Sequence, residues 1–148
     1  MLPVIAVAAV LGTSVFAVES TKTDGPPPDF VVGDYVLIGR EPDGGATYSG
    51  SARIAPAGDS LVLEHRRGDR RIEAVGRIEV PSPPGEGQVL RFRWRDPEPT
   101  TMTCLIGSDL DNYARLTCTW LHDGAEPRQP GLEAMFPTAD WPDQGGSR

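Results

Sequence analysis

The chain reads as an all-β protein, an eight-stranded antiparallel up-and-down barrel, with a two-sheet sandwich as the alternative. Three observations lead there. Glycine (17) and proline (15) are frequent and punctuate short apolar runs, the pattern of many turns and short strands. No stretch of a dozen residues in the body carries a helical apolar period free of Gly and Pro. The runs themselves alternate polar and apolar, as antiparallel strands with one buried face require.

The runs divide at turn signals. Gly33–Arg40 ends at a Glu-Pro-Asp-Gly-Gly turn over 41–45. Ala46–Ile54 sets Tyr48, Gly50, Ala52 and Ile54 on one side, and a break follows at 56–59. Ser60–Arg66 and Arg71–Val80 flank a tip at 67–70, with Ile72, Ala74, Gly76, Ile78 and Val80 sharing a face. In Gln88–Arg95, Leu90, Phe92 and Trp94 oppose Arg91, Arg93 and Arg95. A run to Gly107, then Tyr113–Leu121 and Gly131–Phe136, complete eight. Short links between consecutive runs favour a meander, and closing it removes exposed sheet edges. A sandwich has the same local signature.

The two cysteines test this register. Cys104 shares parity with Met102 and Ile106, and Cys118 with Leu116 and Trp120. Both point to the apolar side, and a hairpin centred near Asp111 sets them opposite each other, so a disulfide is expected. Closing that loop contributes ~3 kcal/mol in the chain-entropy model.

Compartment is read from the first residues. Leu2–Val18 carries no charge and runs into Val15-Phe16-Ala17, small residues where a signal peptidase cuts. The expectation is a signal peptide over 1–17, a disordered leader over 18–29, a barrel over 30–137 and a flexible tail over 138–148. The protein is then secreted or periplasmic, without stable membrane insertion, because the apolar run is short for a span.

The net charge is −7 with a pI near 4.7, so nucleic acid is not an expected partner. Between Arg66 and Arg95, however, eight of the 14 basic residues meet only four acids. The Arg91, Arg93 and Arg95 row is either a docking face for an acidic glycan or extracellular protein, or a solvated face of Arg–Glu pairs. Arg67-Gly68-Asp69 spells an adhesion triplet at a hairpin tip, where Gly-Asp is also ordinary turn chemistry.

Catalytic and metal signals are weak. His65 and His122 lack metal spacing, and His65 is placed at the rim near a hairpin tip. Asp109–Asn112 lacks the glycine and terminal acid of a calcium loop. There is no nucleophile elbow, phosphate loop or zinc helix. A non-enzymatic binding protein without cofactor or metal is the expectation.

Gly33-x-Tyr35-x3-Gly39, Asp43-Gly44 and Tyr48-x-Gly50, followed by Leu116-Thr-Cys118-Thr-Trp120 and Gly131-Leu132-Glu133, resemble the motifs of small secreted bacterial β-barrel proteins. Their architecture is similar to the ligand-holding barrels of the lipocalin and avidin group. The resemblance spans Gly33 to Phe136, with Cys118 standing where the pattern has glycine. It implies fold and export and transfers no catalytic residue. The motif glycines read as bends at barrel corners. The aromatics Tyr35, Tyr48, Phe92, Trp94 and Trp120, all on inward parity, are the candidate lining for a small apolar or amphipathic ligand, and would equally fill a solid core.

Overall fold

A computed structural model of the chain describes residues 28–80, 87–107 and 114–138. The expected signal segment, most of the leader, the Asp109–Asn112 loop and the tail beyond Thr138 lie outside the described residues.

The strands are β1 (Gly33–Arg40), β2 (Thr47–Ala57), β3 (Ser60–Arg67), β4 (Arg70–Glu79), β5 (Val89–Arg95), β6 (Pro99–Ile106), β7 (Leu116–His122) and β8 (Gly131–Pro137). Each pairs antiparallel with the next, and β8 pairs with β1 to close the barrel. Closure excludes the sandwich and leaves no free edge. The alternation predicted for the sequence sets the register: Tyr35, Leu37, Ala52, Ile54, Leu61, Leu63, Ile72, Ala74, Leu90, Phe92 and Met102 are all buried, whereas Val75 on the opposite parity is exposed.

Three boundaries differ from the sequence reading. β2 does not break at Pro56 but runs to Ala57, with Ala57 opposite Ser60 and Gly58-Asp59 as a two-residue turn. Pro56 is tolerated there because it stands at the exposed end of its strand. β4 stops at Glu79, so Val80 is 63% exposed rather than inward. β7 begins at Leu116, and Tyr113 is outside the described residues.

Cys104 lies directly opposite Cys118 in the β6–β7 register and the two form a disulfide. Both are buried in the core. The hairpin is centred on residue 111 as the parity argument required.

The barrel end formed by the β2–β3 and β6–β7 turns is plugged from the N-terminal side. The expected leader reaches Asp29, yet Pro28–Val31 make a 3-10 turn. Val31 is fully buried, and its carbonyl accepts from the Tyr35 hydroxyl at 2.7 Å. Phe30 packs on the core under the Arg115 guanidinium, 4.1 Å from the ring centroid.

The outer wall is partitioned. β2 to β5 carry the charge, in pairs such as Arg71–Glu64 (2.9 Å) and Arg91–Glu79 (2.6 Å). On β6, β7, β8 and β1 the outward residues are mostly Thr or aliphatic, and Val36, Ile38, Leu105 and Leu132 are exposed.

Candidate functional site: the barrel mouth

The opposite end, where the β1–β2, β3–β4, β5–β6 and β7–β8 turns gather, is not plugged by a helix. It is closed by a polar and aromatic cluster. The register builds it: Gly39 on β1 is opposite Tyr48 on β2 and, on its other side, opposite Glu133 on β8. The Tyr48 ring occupies the space a Gly39 side chain would need, crosses β1, and donates its hydroxyl to Glu133 Oε2 at 2.8 Å. Gly131 serves Trp120 in the same way, since any Cβ at 131 would overlap the indole. The Trp120 indole N–H then donates to the Tyr48 hydroxyl oxygen at 3.0 Å. These two motif glycines therefore give room for rings rather than bending the strands.

His65 Nε2 is 2.8 Å from the same Glu133 Oε2. The sequence reading placed His65 at the rim; it is instead 5% exposed, and Glu133 is 3% exposed. An inward position one pair below the strand end lies inside the wall, not on it. A carboxylate buried this deep is tolerated only with partners. One oxygen has them. Glu133 Oε1 and His65 Nδ1 are buried with no partner in the protein.

Burial, followed by the neighbouring Glu133 charge and the hydrogen bond to it, pushes the Tyr48 hydroxyl well above its usual range. It stays a protonated donor and a poor nucleophile.

Arg67 covers the cluster. Its guanidinium lies 4.2 Å from the Tyr48 ring centroid and 5.7 Å from that of Trp120, and bonds Glu41 Oε1 at 2.6 Å. The side chain is only 13% exposed. The expected adhesion triplet is thus divided: Gly68 and Asp69 form the exposed turn, but Arg67 is the last residue of β3 and is folded over the mouth. Beneath it a cavity of about 10 Å³ is bounded by Trp94, Trp120, Met102, Ile72, His65 and Glu133, room for one water-sized group.

Of the five aromatics predicted as lining, Tyr48, Trp94 and Trp120 meet at this cavity. Tyr35 is at the plugged end, bonded to Val31. Phe92 is fully buried in mid-barrel over Gly76. Residues His65, Glu133 and Arg67 were not assigned to a site by sequence, although charged side chains on inward parity were the available signal.

The arginine row is largely spent within the barrel. Arg91 and Arg93 share Glu79 at 2.6 and 2.8 Å, and the hydrogen bond from Arg93 leads the interactions that hold the Glu79 carboxyl below its ordinary range. Arg95 is exposed at the end of β5. Among the described residues no three His, Cys, Asp or Glu side chains converge as metal ligands. No protein-family model matches the chain, and no curated protein matches it.

Proposed function

We propose that the chain is an exported, non-enzymatic binding protein that takes the polar head of a small amphipathic ligand at the mouth of its barrel. The observation that carries this reading is the pair of buried polar atoms, Glu133 Oε1 and His65 Nδ1, left open toward one cavity walled by tryptophan. Buried polar groups are almost always satisfied, so two together ask for an occupant. Concave sites with an apolar wall and a few convergent polar atoms are where small molecules bind. The uncharged Leu2–Val18 run and the disulfide support export. The absence of catalysis is supported by the Tyr48 hydroxyl, which neighbours a His–Glu pair yet is held protonated.

The test is native mass spectrometry of protein purified from its own host. A bound small mass, lost in Glu133→Gln and retained in Leu132→Ser on the outer wall, is the expected result. A clean apo mass for the unaltered protein counts against the reading.

A second reading is favoured by one observation: Val36, Ile38, Leu105 and Leu132 stand exposed on an outer wall with almost no charge, the mark of a contact surface. In that reading the protein docks a protein partner through β6 to β1. Ile38→Asp with Leu132→Asp would then abolish a pulldown that Glu133→Gln leaves intact.

A further inference from the structure

We infer that the mouth is a site for an organic ammonium group, and that Arg67 is the stand-in cation that occupies it in the free protein. The inference rests on the mouth being the binding site and adds the class of ligand. It begins from which hydrogen-bonding positions remain open. Glu133 Oε2 already accepts from Tyr48 and faces His65 Nε2. A carboxylate only accepts, so the imidazole proton sits on Nε2, and in the neutral ring Nδ1 is a lone pair. The Trp120 N–H is spent on Tyr48. The two open positions, Glu133 Oε1 and His65 Nδ1, are therefore both acceptors. What the cavity lacks is a donor.

Charge and shape narrow the donor. The carboxylate is negative, and the surrounding faces of Tyr48, Trp94 and Trp120 attract cations. The protein already places one there: the Arg67 guanidinium, between Tyr48 and Trp120 and anchored outside by Glu41. Arg67 cannot reach the open acceptors, because it sits above the rings while the cavity lies below. An ammonium head is about the size of the water-sized space available. A primary amine on a short apolar chain would donate to Glu133 Oε1 and His65 Nδ1 with its head. Its chain would leave past the rings where Arg67 now lies. Arg67 ends β3 next to the two-residue Gly68-Asp69 turn, so breaking its bond to Glu41 frees the side chain without disturbing the β3–β4 ladder.

The experiment is a tryptophan-fluorescence titration of the full chain with butylammonium chloride, against butanol and against sodium chloride at matched ionic strength. It uses the unaltered protein, Arg67→Ala and Glu133→Gln. The expected result is a saturable change with butylammonium alone, about tenfold tighter in Arg67→Ala because the resident competitor is gone, and lost in Glu133→Gln. Should Glu133→Gln fail to fold, Trp94→Leu takes its place, with Trp120 still reporting and binding weakened. Equal responses to butylammonium and butanol overturn the ammonium assignment and leave the mouth as a site. No saturable response to either, in the unaltered protein and in Arg67→Ala, overturns both. A titration indistinguishable from sodium chloride means that water alone fills the cavity, and the inference falls.

Discussion

The Tyr48 hydroxyl reaches Glu133 Oε2 by passing over Gly39, the residue that is paired with both. Strands β2 and β8 are not neighbours, so this bond clamps the barrel across the strand that closes it. The motif residues of the first, second and last strands thereby have one joint physical role. Gly39 keeps the path clear, Tyr48 spans it, and Glu133 receives the donor.

Tyr48→Phe removes the donor to a buried carboxylate and the acceptor of the Trp120 N–H. The expected loss is about 1–3 kcal/mol of stability, the cost of leaving buried polar groups unpaired, read as a fall in the denaturant midpoint. The pH profile gives the sign independently. The folded state raises the Tyr48 value above the ordinary 10.0, so its contribution is fully present below pH 10 and is lost as pH rises beyond it. The unaltered protein should weaken steeply above about pH 10, and Tyr48→Phe should weaken less. Parallel alkaline profiles would contradict the clamp.

Gly131→Ala tests the second ring seat. The added methyl would overlap the Trp120 indole, so the ring must leave its position or the strand must shift. Overpacking of this kind costs about 1–3 kcal/mol. The near-ultraviolet circular dichroism of Trp120 should change with it. An unchanged spectrum and melting temperature would show that the indole does not lie on Gly131.

The fold was legible because its grammar is local. Two-residue alternation, turn residues and the shared parity of Cys104 and Cys118 are all written within single hairpins. The site was legible only in half. Inward parity correctly gathered Tyr48, Trp94 and Trp120, yet it could not separate them from Tyr35 and Phe92, because parity gives the face and not the height along the barrel. His65 and Glu133 lie 68 residues apart in sequence and meet across the interior, which no hairpin-level pattern encodes. Glu133 was visible as an acid on an inward position beside Gly131 and Met135, and that anomaly was the stronger signal. Arg67 was read as a displayed tip because the turn is obvious in the sequence, whereas the attraction of two rings and Glu41 is not.

Replacing both cysteines by alanine, or reducing the bridge, should lower stability by about 3 kcal/mol, from the loop the Cys104–Cys118 bond closes. The strands should still pair, because β6 and β7 keep their full ladder. A thiol assay on denatured, unreduced protein should find no free sulfhydryl at these positions. Two reactive thiols would contradict the bond.

Glu79 is the charged wall's one shared anchor, bonded to Arg91 and to Arg93. Those bonds hold its folded value below the ordinary 4.5. A depressed carboxylate contributes stability above its unfolded value and loses it as pH falls through the folded one. The unaltered protein should therefore lose melting temperature as the solution is acidified below pH 4.5, whereas Glu79→Gln, carrying no charge to lose, should start lower at neutral pH and fall less. The two curves should converge in strong acid. The carboxylate is partly solvated, so the gap is small at neutral pH and shrinks with added salt, as screening of a surface pair requires. A gap that persists unchanged in high salt would mean that Glu79 acts through packing rather than charge. The arginine row would then be available to an outside anion instead of being neutralised from within.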